Sequence, residues 1–250
     1  MLLVIDTGNT RTKWAKVQAD GTLSEVQATL NAKLTVSALK QDLTSVDKVV
    51  IANVAGHEIA AQLNSMMPDH IEPIFVVPKS EACNVINRYE QVKTLGMDRW
   101  AAVIAAWHMH KQPSLIINAG TAITIDALGK DKVTKKGEYL GGTIMPGLQL
   151  LFSALSENTA NLSSGEAGRM DVFPKKTIDA IHTGCMCAIV GAVVLQMKQL
   201  EKHCAFLPKV VISGGDAVKI AEALGHHLKR VIVAENLVLQ GLALIGEELV

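Results

Sequence analysis

The sequence has no excess of charge: Lys and Arg together number 24, and so do Asp and Glu. That balance gives no support to nucleic acid or an anionic membrane surface as a partner. No basic stretch accompanies the N-terminal apolar run, which stops at Asp6, so the start does not read as a signal peptide. Long hydrophobic runs are also missing. The longest, residues 184–195, is shorter than a bilayer requires and is expected to be a buried core helix. A cytoplasmic protein is expected. Cysteine is scarce, with four residues and no C-x-x-C pair. Cys185 and Cys187 are two apart in a helical pattern, where they share no face, so they make a poor metal pair and the cysteines are expected to be buried reduced thiols. The eight histidines form no H-E-x-x-H pattern, and His226 and His227 follow a helical segment where solvent is expected. There is no G-x-x-x-x-G-K-[ST], which excludes the P-loop mode. No G-x-G-x-x-G follows a strand, which leaves dinucleotide binding without support.

What is present is enough apolar residue for a core. The chain has 250 residues, 49% hydrophobic and 19% charged. Short apolar runs predict strands at 2–5, 11–18, 23–28, 48–52, 74–77, 115–118, 122–127, 136–142, 209–213 and 231–233. Asp20-Gly21 marks a hairpin turn. Helical spacing predicts helices over 35–43, 58–67, 98–110, 147–155, 177–203, 217–224 and 236–248. Each half opens with a strand and hairpin and then alternates helix with strand. The expected architecture is α/β with a mixed sheet in each half, divided into lobes 1–112 and 113–250.

The two openings also match in detail. The segment from Val4 through Asp6, Gly8 and Thr12 lies over the segment from Ile116 through Asn118, Gly120 and Thr124. Such a match at the first strand of both halves points to internal duplication. The first turn holds the groups a nucleotide-phosphate site uses. Gly8 permits close approach, Asn9, Thr10 and Thr12 offer donors, Lys13 supplies charge, and Asp6 can reach a hydrated Mg²⁺. An ordinary hairpin would favour the same residue types. The second turn carries Gly120, Thr121 and Thr124. A third, Gly214-Gly215-Asp216 at a strand-to-helix junction, allows a ring or ribose to approach, or simply caps a helix. Gly96-Met97-Asp98-Arg99 opens a long helix. Asp98 reads either as a helix cap or as the base that orients an attacking hydroxyl. Arg99 reads either as a fork for a substrate carboxylate or as one half of a surface ion pair.

Five motifs in order carry a family resemblance: Asp6-x-Gly8-Asn9-Thr10, Gly96-x-Asp98-Arg99, Gly120-Thr121-Ala122-x-Thr124-x-Asp126, Gly141-Gly142-x-Ile144-x-Pro146-Gly147, and Gly214-Gly215-Asp216-Ala217. Together they resemble the type III pantothenate kinases. The resemblance implies the acetate and sugar kinase, Hsp70 and actin fold: two ribonuclease-H-like lobes with ATP between them. It implies ATP-dependent phosphorylation of the primary hydroxyl of pantothenate, the first step towards coenzyme A. By similarity, Asp6, Thr7, Gly8, Asn9, Thr10, Arg11, Thr12 and Lys13 grip the phosphates, Thr121 contacts ATP, and Gly214, Gly215 and Asp216 complete the nucleotide site. Asp98 is then the base, while Tyr89, Gly96, Met97, Asp98, Arg99 and Thr177 hold pantothenate. A homodimer is implied, with Thr177 reaching across it, and Mg²⁺ and a monovalent cation (K⁺ or NH₄⁺) as cofactors.

Three departures from the family pattern stand out. Asn118 occupies the place of an Asp associated with the monovalent cation. Its amide oxygen still ligates but brings no charge, so weak or absent K⁺ dependence is expected. The stretch after Tyr89 lacks a proline, and Lys176 stands where Asn often precedes the threonine. The competing readings are a kinase of the same superfamily for another small hydroxy acid and an ATP-binding accessory or regulatory protein.

Overall fold

The structure is a computed structural model that describes residues 1–157, 168–204 and 207–249. The chain divides into two compact units. The first comprises Met1–Gln112, Lys130–Gly141 and Asn236–Val250, and the second Pro113–Gly129 and Gly142–Glu235.

In the first unit the strands are β1 (Leu2–Thr7), β2 (Arg11–Val17), β3 (Gln27–Leu30), β4 (Lys48–Asn53), β5 (Ile74–Phe75), β6 (Glu81–Ala82) and β7 (Val85–Asn87). The helices are α1 (Val36–Leu43), α2 (His57–Ser65) and α3 (Met97–His110). A five-stranded sheet runs in the order β3-β2-β1-β4-β5. β2 is antiparallel to β1 and β3, whereas β4 is parallel to β1 and β5. The central strands are apolar throughout, and Leu3, Val4, Ile5, Val49, Val50 and Ile51 are fully buried. Continuous apolar runs of this kind belong to a strand covered on both faces. One face packs on Leu39, Leu43 and Leu63 of α1 and α2.

The other strands are β8 (Ser114–Ala119), β9 (Ala122–Lys130), β10 (Gly137–Pro146), β11 (Lys209–Ser213) and β12 (Val231–Val233). The helices are α4 (Leu148–Glu157), α5 (Thr177–Cys204), α6 (Ala217–Leu224) and α7 (Leu237–Glu248). The second sheet has the order β12-β11-β8-β9-β10-β7-β6. Its segment β10-β9-β8-β11-β12 repeats the order of the first sheet. β8 and β9 form the antiparallel hairpin, and β11 and β12 are the parallel strands. The register sets Asp6 against Lys13 in one hairpin and Asn118 against Thr124 in the other. Duplication expected from two short turns therefore extends to the topology of both sheets.

The unit boundaries differ from a single cut after residue 112. The terminal helix α7 packs on α3 so closely that a Cβ at Gly241 would lie 1.9 Å from the Ala101 carbonyl oxygen. The segment 130–141 is held by pairing of Gly137–Tyr139 with β7. Both segments thus return to the first unit through long-range packing that local sequence does not encode.

A second correction concerns α5. The run 184–195 lies inside a helix of 28 residues, long and apolar enough to cross a membrane by length and composition alone. Only a third of its most apolar window is buried, at a mean hydropathy of 1.9. One face buries Cys185, Met186, Ile189, Val190 and Val193, while Ala180, Gly184, Cys187, Ala188, Gly191 and Leu195 are exposed. The expected core helix is core on one side only. Apolar residues all round a helix give no periodicity to separate a core face from an uncovered one. Cys187, expected to be buried, is accordingly exposed.

Candidate active site

The β1–β2 turn is built from the sheet outward. Thr7 and Thr12 pair across the hairpin, and the turn closes with Gly8 N–H donating to the Arg11 carbonyl at 3.0 Å. Asn9, Thr10 and Arg11 are exposed at the tip. Thr12 differs from expectation. It is fully buried, and its hydroxyl donates to Asn31 Oδ1 at 2.9 Å, so it supports the turn from beneath. Thr7 is also fully buried, with its hydroxyl 3.4 Å from that of Thr12. Threonines alternate sides along a strand, and sequence spacing could not show which hydroxyls turn inward.

Asp6 is the penultimate residue of β1, beside this turn. Burial, and then the negative charge of Asp98, push its carboxyl up to about 7, and Lys13 partly offsets them. The structure thereby brings Asp6, Lys13 and Asp98 into one electrostatic cluster inside the first unit. A buried carboxyl whose proton affinity is raised by a second carboxylate forms a place for a cation. A hard cation such as Mg²⁺ fits this donor set, since it takes one or two carboxylates with the remaining sites left to water and phosphate.

Asp98 lies in the first turn of α3, and its Oδ1 accepts the Arg99 backbone N–H at 2.8 Å. An anion here is favoured by the helix dipole. Gly96 holds the N-cap position without a side-chain cap. Arg99 is 4% exposed, which removes the surface-ion-pair reading for it. Met97 is buried beside it. Tyr89 is half-buried and follows β7, with its N–H donating to Asn87 Oδ1 at 3.0 Å. Its ring stacks on Tyr139 at 6.2 Å between centroids, and Tyr139 meets Trp100 edge-on at the same distance. Tyr139, fully buried, thus links the Tyr89 loop to the start of α3. Neither Tyr139 nor Asn31 was singled out from the sequence. Both lie far along the chain from what they support, and no local signal marks them.

In the second unit, Asn118 is the penultimate residue of β8, with Thr124 of β9 and Ser213 of β11 in register on either side. Thr124 and Ser213 are buried, and Thr124 Oγ1 is a buried oxygen with no hydrogen-bond partner. Side chains in register point to one face of a sheet, so these three oxygens form a row. A row of neutral oxygens with one unsatisfied suits a weakly held monovalent cation. Gly120 N–H donates to the Ala122 carbonyl at 3.1 Å, closing a turn that leaves Thr121 exposed. Gly214 has φ +109°, and a Cβ there would sit 2.3 Å from the Ala119 carbonyl oxygen. The adjacent Asp216 N–H donates to that same carbonyl at 3.2 Å. The second and third turns are therefore bonded neighbours. Asp216 makes no side-chain cap to α6; its carboxylate pairs with Lys219 at 3.7 Å instead. Thr177 is exposed at the first position of α5.

Among the described residues no group of three or more His, Cys, Asp or Glu is placed to hold a metal. A metal at this site would depend on few protein ligands.

A family profile described as type III pantothenate kinase matches residues 2–213. The chain is 35% identical to the type III pantothenate kinase of Nitrosospira multiformis over 249 residues, covering 99% of this chain and 92% of that protein. It is 38% identical to that of Aromatoleum aromaticum over 254 residues, covering 99% and 98%. Among solved structures, a conserved putative Baf family transcriptional activator from Campylobacter jejuni has a TM-score of 0.58 at 23% identity, with 98% of each chain covered. A putative 2-dehydro-3-deoxygalactonokinase from Sinorhizobium meliloti has a TM-score of 0.60 at 13% identity, covering 100% and 99%. At these identities the structural likenesses speak for the fold, that of the sugar kinases and actin-like ATPases. By the match of its sequence along nearly its whole length, the chain belongs to the type III pantothenate kinase family.

Proposed function

We propose that the chain performs the reaction of its family, ATP-dependent phosphorylation of pantothenate on its primary hydroxyl, with Asp98 as the base that orients that hydroxyl. The observation that carries the assignment is that the charge of Asp98, in the first turn of α3 and next to Arg99, acts on the Asp6 carboxyl beside the β1–β2 turn. Phosphoryl transfer through a loose transition state needs positioning and charge stabilisation more than strong basicity. Asp98 need only accept the hydroxyl proton late in the transfer, and an ordinary carboxylate suffices. Arg99, Tyr89, Gly96 and Met97 would hold pantothenate, the guanidinium facing its carboxylate. In the first unit, Asp6, Lys13 and the exposed tip of the β1–β2 turn would hold the phosphates of ATP, with Thr7 and Thr12 supporting that turn from beneath; in the second, Thr121 and the Gly214–Asp216 turn would contact ATP. Mg²⁺, held through water at Asp6, would neutralise charge on the phosphates.

The cytoplasm is the proposed location. We also assign a homodimer, supported by the exposed apolar face of α5. The solvent-facing Ala180, Gly184, Ala188, Gly191 and Leu195 follow a helical stripe that a second copy would cover. Thr177, at the start of the same helix, would then serve the partner's substrate. Asn118 supports only weak use of a monovalent cation. The experiment that tests the assignment is Asp98→Asn. It is expected to lower turnover by roughly 10²–10⁴ with nucleotide binding retained. Undiminished turnover would remove Asp98 from its role.

A further inference from the structure

We infer that Asn31 is a positioning residue that fixes the phosphate turn between β1 and β2, an inference that rests on reading residues 6–13 as that turn. Asn31 begins a 3-10 turn directly after β3. Pairing of Arg11 with Leu30 sets it beside the hairpin tip. It then bonds the turn at three alternate residues. Its backbone N–H donates to the Thr10 carbonyl at 3.0 Å. Its side-chain Nδ2 donates to the Gly8 carbonyl at 2.8 Å. Its Oδ1 accepts the Thr12 hydroxyl at 2.9 Å.

The chemistry selects asparagine. A carbonyl oxygen only accepts, so the amide nitrogen must face Gly8 and the amide oxygen must face Thr12. One planar group thereby serves both limbs of the turn. A carboxylate would still accept from Thr12 but would set an anion against the Gly8 carbonyl and add negative charge next to the phosphates. The bonds also have a direction that matters for an anion. The Gly8 and Thr10 carbonyl oxygens would repel a phosphate, and Asn31 ties both to its own side. A phosphate grip built on backbone N–H groups works only while the carbonyls are held away.

The test is steady-state kinetics of the full-length enzyme carrying Asn31→Ala and Asn31→Asp. Each is expected to raise KM for ATP about tenfold, the effect of losing one to two net hydrogen bonds' worth of order, while KM for pantothenate changes less than about twofold. Thr12→Val, nearly isosteric, removes one of the side-chain bonds and is expected to give a smaller rise in KM for ATP. Its effect should not add to that of Asn31→Ala in the double variant. A merely structural Asn31 would lower the melting temperature and the active fraction with KM for ATP unmoved, and that result overturns the inference. Should the Asn31 variants fail to fold, an unchanged KM for ATP in Thr12→Val overturns it equally. Lys13→Ala separates the two levels. If it raises KM for ATP while the Asn31 variants do not, the turn keeps its role and Asn31 loses its own. If none of these variants raises it, both fall.

Discussion

Asp6→Asn should stabilise the metal-free protein at alkaline pH while destroying its activity. The folded carboxyl sits at about 7, against 3.8 for the ordinary group. The folded chain therefore holds this proton more tightly than the unfolded one. The stabilisation is fully present below 3.8 and is lost as pH rises through 7. Between pH 5.5 and 8 the unfolded carboxyl stays ionised while the folded one gives up its proton. Linkage over that window makes the loss about 2 kcal/mol, an upper figure because water reaching the half-buried residue screens the charge. For a chain of this size that corresponds to roughly 4–8 °C in melting temperature. The asparagine variant lacks the titrating group, so the difference between variant and wild-type melting temperatures should grow by that amount from pH 5.5 to 8. The assay is thermal unfolding with chelator present at both pH values. Excess Mg²⁺ should close the gap by compensating the carboxylate in the wild type. A wild-type protein and variant whose melting temperatures change in parallel over this range would refute the electrostatic account of Asp6 and Asp98.

Other consequences follow from the same geometry. Asn118→Asp should strengthen the dependence of turnover on K⁺, because it adds a charge to the row with Thr124 and Ser213; a K⁺ titration unchanged from wild type would contradict this role for Asn118. Leu195→Glu places a charge on the exposed face of α5 and should convert a dimer to monomers in sedimentation. A wild-type protein that already sediments as a monomer would remove that face as an interface. The monomeric variant should lose affinity for pantothenate more than for ATP, if the partner's Thr177 completes the substrate site.

Much of the fold was legible because its signals are local. The runs at Leu2–Thr7, Lys48–Asn53, Ser114–Ala119 and Lys209–Ser213 are short, apolar and ended by turn residues, and they form the central strands. The helices α3 and α6 matched their periodicity within a residue. Weak strands were not legible. β6 and β7 have two and three residues, and their pairing gives them more definition than their side chains do. β3 was expected over 23–28, but Leu23 makes only an isolated antiparallel bridge to Val17, and the ladder resumes at Gln27 opposite Trp14, one residue out of register with that bridge. That shift of register is what brings Asn31 to the phosphate turn.

The site was legible to the extent that its motifs are contiguous. Asp6, Asp98 and Arg99 stand out in the sequence, and burial, followed by the charge of Asp98 from far along the chain, accounts for the perturbed carboxyl of Asp6. Supporting residues were invisible for the opposite reason. Tyr139 meets Tyr89 and Trp100 from a strand 39 residues beyond Trp100 (139 minus 100), and nothing in its neighbourhood announces an aromatic contact. The inward turn of Thr12 and the open face of α5 likewise depend on packing, which a residue's own sequence context does not fix.

The central claim is the reaction itself. The direct measurement is ADP release by the purified full-length protein with ATP, Mg²⁺ and pantothenate, each omitted in turn. The account predicts ADP release that requires all three and appears with one equivalent of phosphorylated pantothenate. ADP release with a sugar or another hydroxy acid, but none with pantothenate, would contradict it.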